Sequence, residues 1–371
     1  VTADESELRE LRASVREFLE AKSSEEAVRK LMESEPRFDP AVWSQAADQL
    51  RLPGLAIPEE YGGDDFGLVE LGVVLEEMGR ALFCAPFFAT VLLAAQALLA
   101  SGDREACARF LPGIASGRTT ATLAVAEDHG SWDPAMVSAR AVPDGDGGWT
   151  VRGRKCFVID GTTADLILVV ARTVAGPTLF AVERDATGLA AEPMETLDAT
   201  RAMARLTLDA VPATRVGAEG AGGRIMARVL DIASVGLAAE QAGGARRCLE
   251  TSADYARVRH QFGRPIGSFQ AVKHKCADML VQVELAEASS REAARLADEN
   301  SPDFPVAAAV AHACCSRAYM TAAMENIQVH GGIGFTWEHP AHLYFRRAKS
   351  SQLLFGGPAV YHERLLDRLG I

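Results

Sequence analysis

Residues 255–279 read YARVRHQFGRPIGSFQAVKHKCADM. Arg257, Arg259, His260 and Arg264 cluster where one helical pattern runs out, and Pro265 and Gly267 mark a turn before the next, with Ser268 placed to cap it. Guanidinium groups beside the free amides of a helix N-terminus make an anion site suited to phosphate or pyrophosphate. Basic residues also cap a helix C-terminus with no ligand at all. Three arginines within eight residues, beside a second helix start, favour the phosphate reading.

Upstream, 224–257 reads as one long helix on which Val229, Ala233, Gly236, Glu240, Gly243, Gly244 and Arg247 share a face. An interior glycine costs about 1 kcal/mol against alanine, so several on one face imply close approach by a neighbouring helix or a flat ligand. Glu240 is a solitary carboxylate in this apolar stretch, which ends at Arg246 and Arg247. Apolar surroundings raise a carboxyl pKa and suit a general base. A structural role, paired with Arg246 or Arg247 or bonded to a neighbouring element, explains it equally well.

Downstream, helical patterns fall at about 268–298, 302–329 and 340–354, long enough for an antiparallel bundle. The stretch 327–360, IQVHGGIGFTWEHPAHLYFRRAKSSQLLFGGPAV, breaks at Gly331, Gly332 and Gly334. A C-cap explains one of these glycines; three together let backbone amides approach a ligand. Nothing in the spacing of Glu338, His339 and His342 fixes a metal geometry, and they read as surface residues.

The first third, to about residue 120, is helical by the same periodicity, with the loop IPEEYGGDDF between an amphipathic pair and the more apolar FGLVELGVVLEEMGRAL and FFATVLLAAQALLASG. From 121 the texture becomes short β-branched runs: ATLAVAE, MVSARAV, the turn PDGDGG, WTVRGRKCFVIDG, DLILVVARTV, PTLFAVER and ARLTLDAV. No Gly-x-Gly-x-x-Gly links a strand to a helix, so a Rossmann fold has no support. After the Gly-rich GAEGAGG at 217–223 the helices return. The expected fold is α+β, divided as 1–120 helical, 121–218 β, and 219–371 a helical bundle.

Bulk properties set limits. The 371 residues are 48% hydrophobic and 24% charged, with no apolar run of bilayer length. The charged, amphipathic N-terminus lacks a signal-peptide pattern, and a cytoplasmic location is expected. A net charge of −12 argues against nucleic-acid binding. Seven scattered cysteines, with no metal spacing, read as reduced buried thiols.

The order helical, β, helical, with R-x-x-F-G-x-P-I-x-x-x-Q (Arg259, Phe262, Gly263, Pro265, Ile266, Gln270) and Q-x-x-G-G-x-G-F (Gln328, Gly331, Gly332, Gly334, Phe335), resembles the acyl-CoA dehydrogenase family of flavoproteins over essentially the whole chain. The resemblance implies an N-terminal helical domain, a middle β domain and a C-terminal four-helix bundle, assembled as a homo- or heterotetramer. FAD would lie between β domain and bundle, its adenine end reaching the neighbouring subunit. Arg259, Phe262 and Gln270 would contact FAD across the dimer interface, and Gln328, Gly331 and Gly332 would hold its adenosine and pyrophosphate end. The family loop that meets the flavin ring and thioester corresponds to LAVAEDHGSWD, keeping Val125 and Glu127 with Ala126 in the usual threonine position. The W-I-T stretch at the ring corresponds to Phe157, Val158 and Ile159.

The family's catalytic glutamate aligns with Phe355 in AKSSQLLFGG, and the alternative glutamate position with Ala233. Neither takes a proton. Glu240, two turns beyond Ala233 on the same face, becomes the candidate base, with Asp231 as runner-up. The reaction implied is α,β-dehydrogenation of an acyl-CoA thioester, handing electrons to a carrier flavoprotein. Two further readings are a partner subunit that has lost its base and a flavin oxidase. Gly236 and Gly243 would leave room for a branched or ring-bearing acyl group, unless they serve helix packing.

Overall fold

The computed structural model describes residues 3–145 and 147–371. Val1, Thr2 and Asp146, the last inside the turn PDGDGG, lie outside the described residues. Six helices come first: α1 (Glu5–Lys22), α2 (Glu25–Met32), α3 (Pro40–Leu50), α4 (Leu68–Arg80), α5 (Gln96–Ser101) and α6 (Arg104–Ala115). Seven strands follow: β1 (Ala121–Ala124), β2 (Arg140–Pro143), β3 (Trp149–Ile159), β4 (Leu166–Thr173), β5 (Gly176–Glu183), β6 (Leu189–Pro193) and β7 (Met203–Val216). Then come α7 (Gly222–Val258), the hairpin strands β8 (His260–Gln261) and β9 (Arg264–Pro265), α8 (Gln270–Asp298), α9 (Phe304–His330), α10 (Ala341–Leu353) and α11 (Pro358–Leu369). The α+β class and the three-part element order expected from the sequence hold. No helix among the described residues is long and apolar enough to cross a membrane.

These elements form two compact units, one of residues 30–67 and 84–233, the other of residues up to 29, 68–83 and 234–371. In the first, β4, β2, β3, β7 and β5 follow one another and β5 pairs back with β4, closing the sheet so that these strands leave no free edge. β1 adds parallel to β4, and β6 pairs with β7. The segment Phe88–Ala95, read as a buried helix, is wholly buried in π-helical form and continues into α5. It is tied to β1 by Thr90, whose Oγ1 accepts from the Ala121 amide at 3.1 Å and donates to the Ala121 carbonyl at 3.1 Å.

The second unit is built on helices. Asp4 caps α1 and Glu7 completes a capping box. The carboxylate of Asp298 caps α4, accepting from Leu68 N at 2.7 Å and Val69 N at 3.0 Å. Ser268, expected as the N-cap of α8, donates to the Pro265 carbonyl at 2.7 Å instead, and Phe269 holds the cap position with no side-chain bond. The cause is a 3₁₀ turn over Ile266–Ser268, which moves the helix start on to Gln270.

Gly243 and Gly244 on α7 are explained by close helix packing. A Cβ on Gly243 would lie 1.8 Å from the Glu76 carbonyl oxygen, and one on Gly79 would lie 1.9 Å from that of Glu240. The backbones of α4 and α7 therefore touch, and a Cβ on Gly244 would meet the ring of Tyr319 at 2.5 Å. Of the two roles open for Gly243, helix packing is the one observed.

Candidate active site

In the unit built on the sheet, the loop after β1 and the last turn of β3 meet. Cys156 N donates to the Ala126 carbonyl at 2.9 Å, and Thr122 Oγ1 donates to that of Ile159 at 2.6 Å. The β3–β7 register slips between Lys155 and Val158, a bulge at which Phe157 adopts φ of 57°. That bend brings Val125, Ala126, Phe157 and Ile159 together, with Phe157 half-buried and Ile159 buried.

Beneath this junction lies a group the sequence reading missed. Lys155 is wholly buried, its ammonium donating to the Val125 carbonyl at 3.0 Å and to Glu127 Oε1 at 2.9 Å. Glu127 also accepts from the amides of Ser138 (3.0 Å) and Ala139 (2.9 Å) and from the Ser138 hydroxyl. Burial alone would raise the Glu127 pKa, but these bonds and the ammonium bring it down to about 2. Burial lowers that of Lys155 to about 8, against the pull of Glu127. In sequence Lys155 is one more residue of a β run, and nothing there signals a buried cation.

In the helical unit, the second set of residues gathers at one end of the bundle. Phe262 (φ 55°) and Gly263 (φ 77°) make the two-residue turn of the β8–β9 hairpin, which leaves Phe262 92% exposed. Ile266 N closes back on the Arg259 carbonyl at 2.8 Å, and Gln270 opens α8. The α9 terminus is fastened to the same end: Tyr255 stacks on His330 with ring centroids 4.3 Å apart, Ser252 donates to Asn326 Oδ1 at 3.0 Å, and Lys275 pairs with Glu325 at 2.6 Å. Arg259, Gln328, Gly331 and Gly332 are exposed, and a Cβ on either glycine would meet nothing within 4 Å. Exposed guanidinium, amide and bare backbone suit the extended, anionic arm of a dinucleotide.

Glu240 is 5% exposed and Arg347, on α10, is 3% exposed. Arg347 Nη1 lies 3.0 Å from Glu240 Oε1. Of the structural roles anticipated for Glu240, the bond to a neighbouring element is the one observed, and not a pairing with Arg246. Arg246 instead pairs with Glu284 (2.6 Å) and Glu287 (2.7 Å), facing away across α8. Phe355 is fully buried at φ 63°, in the turn after α10. Asp231 is buried in the other unit, as is Ala233. His342 stacks on Trp337 at 4.7 Å, and among the described residues no group of three His, Cys, Asp or Glu side chains could hold a metal.

A π-helical segment packed with a closed sheet and a bulged strand in one unit, and long helices ending in an Arg-rich hairpin and a glycine cluster in the other, define an α+β protein of the acyl-CoA dehydrogenase type. Comparison with known families gives the assignment: residues 5–118, 122–211 and 220–370 match the N-terminal, middle and C-terminal domain models of acyl-CoA dehydrogenase, and the chain belongs to that family. The family is one of oxidoreductases acting on CH–CH bonds and implies FAD as cofactor. Among similar proteins, acyl-CoA dehydrogenase IpdE2 of Mycobacterium tuberculosis is 36% identical over 96% of this chain and 95% of its own. A Tcur3481-Tcur3483 steroid ACAD variant superposes with a TM-score of 0.89 at 36% identity, covering 98% of both chains. The ChsE4-ChsE5 complex from Mycobacterium tuberculosis gives 0.89 at 30% identity, covering 99% of this chain and 98% of that one.

Proposed function

We propose that this chain is one of two unlike subunits of an FAD-dependent acyl-CoA dehydrogenase, to which it contributes the adenine and pyrophosphate arm of the flavin site while the unlike subunit contributes the catalytic base. The observation that carries the reading is the buried Glu240–Arg347 pair: the first candidate carboxylate on α7 is committed to a guanidinium. Phe355 stands where the family has its glutamate, and Ala126 and Ile159 stand where it has hydroxyl-bearing residues. The exposed set Arg259, Phe262, Gln270, Gln328, Gly331 and Gly332 keeps the family pattern. When bound, FAD accepts the hydride that leaves the β carbon of the thioester. In this assembly Arg259, Phe262 and Gln270 would contact FAD across the dimer interface, while Gln328, Gly331 and Gly332 would hold its adenosine and pyrophosphate end. A carrier flavoprotein would accept the electrons that FAD takes up when bound, and the assembly is a dimer of dimers working in the cytoplasm. A ring-bearing acyl group is favoured as substrate by the 36% identity of this chain to a steroid ACAD.

The test is absorption spectroscopy with native mass spectrometry, on the chain purified alone and after co-expression with an unlike acyl-CoA dehydrogenase chain that carries the family glutamate. A mixed tetramer with one FAD per two chains, bleached anaerobically by a steroid-side-chain acyl-CoA, is expected. A homomer that binds one FAD per chain and bleaches without a partner would sink the proposal. Within the mixed assembly, Arg259→Ala should weaken FAD binding by about tenfold or more, the loss of one charge-assisted contact. Flavin fluorescence during titration reads that loss, and unchanged affinity would remove Arg259 from the site.

A further inference from the structure

Among the described residues, five polar side chains in the bundle interior have no hydrogen-bond partner. They are Gln241 on α7, with both amide atoms unmet, His312 with both ring nitrogens unmet, Ser316 and Tyr319 on α9, and Ser351 on α10. None is more than 3% exposed. Their positions correspond. Ser252 bonds to Asn326 on α9, Gly244 abuts Tyr319, and Ser234 bonds through its hydroxyl to Tyr361, whose ring stacks on His312 at 3.5 Å. Successive α7 residues thus meet successive α9 residues with an offset of about 75, so the two helices run side by side in the same direction. That alignment sets Gln241 on α7 level with Ser316 on α9.

Helical spacing completes the strip. His312, Ser316 and Tyr319 share one face of α9, and Ser351 lies one turn beyond Arg347 on α10. Tyr319 in turn lies within electrostatic reach of both Arg347 and Glu240. Five orphaned polar groups would be costly, since each lowers the folding equilibrium constant by roughly five- to a hundredfold. Native interiors leave few such groups unmet, and polar enclosed sites are met by ordered water when two to four partners converge. Gln241, Ser316 and Ser351 together supply donors and acceptors of both kinds.

We infer that α7, α9 and α10 enclose a seam of ordered water that hydrogen-bonds Gln241, Ser316 and Ser351, reaches Tyr319, and solvates the Glu240–Arg347 pair from within the bundle. His312 ends the seam as a neutral imidazole, burial and the charge of Arg364 bringing its pKa down to about 3, so that one ring nitrogen donates and the other accepts. Gln241, Ser316 and Ser351 are positioning residues, acting on the ion pair through the water between them. The seam stands whichever subunit holds the catalytic base.

The test turns on the sign of a stability change. A group that is truly orphaned is relieved by an apolar replacement, whereas a water-bridged group is missed. Gln241→Met and Ser316→Ala should each lower the folded-to-unfolded ratio at least fivefold in denaturant titrations, and the double variant should lose less than the product of the two, because they share a bridge. An unchanged or higher ratio in Gln241→Met would overturn the seam. A crystal structure at a resolution that shows solvent gives the second reading, independent of whether the variants fold. Density for water between Gln241 and Ser316 is expected there, and continuous side-chain packing without it would refute the inference.

Discussion

Arg347→Met is expected to destabilise the folded chain by about 3–5 kcal/mol, because it strands a buried carboxylate whose charge has been balanced by the guanidinium. The pair joins residues 107 apart in sequence, on α7 and α10, so its loss loosens α10 against α7 as well as unbalancing Glu240. Glu240→Gln/Arg347→Met, which removes both charges at nearly constant volume, should recover most of that loss, since a buried ion pair as a whole contributes little beyond apolar packing. Denaturant unfolding of the two single variants and the double one closes the cycle, and a coupling energy of at least 1 kcal/mol marks a shared interaction. Arg347→Met with wild-type stability would show that the pair does not hold α10, and would return Glu240 to consideration as a free base.

Periodicity makes the long helices legible because it is a local property. The single helix expected over 224–257 is α7 at Gly222–Val258, and the run at 302–329 is α9 at Phe304–His330. The strand β6, Leu189–Pro193, passed unread: LAAEP carries no β-branched residue, and its pairing with β7 rather than its own sequence holds it extended. The break between α7 and α8 and the glycine cluster after α9 were readable because each is a local signal, although the tight turn falls at Phe262 and Gly263 and not at Pro265 and Gly267. The interior was not. The partner of Glu240 lies on a helix far along the chain, and local sequence favours the nearer Arg246 and Arg247. Lys155 is hidden for the same reason, its partners lying 28 and 30 residues before it. A lone glycine run signals close approach without saying of what, and only the crossing of α4 over Gly243 decides between a helix and a ligand.

Lys155→Met should cost about 3–5 kcal/mol, by leaving the buried Glu127 carboxylate without its cation in a region where the Val125 carbonyl also loses its donor. Acid behaviour gives this pair a separate signature. Glu127 is held at about 2 against an ordinary 4.5, so the folded form favours the ionised state. Its contribution is complete above the unfolded value near 4.5 and disappears as the pH falls towards 2. Glu127→Gln should therefore flatten the acid limb of the stability profile across that window, relative to the unaltered protein. At the alkaline end the slope has the same sign, although there it reflects relief of a penalty and not gain of a favourable contribution. Lys155 titrates at about 8 when folded against 10.5 when unfolded, so between those values the unfolded chain holds the extra proton and stability rises with pH. Lys155→Met removes that rise while keeping part of the acid limb, because Ser138 and Ala139 still hold the carboxylate. Unfolding midpoints taken from pH 2 to 10.5 separate the two groups, and an alkaline rise that persists in Lys155→Met would assign it to another residue.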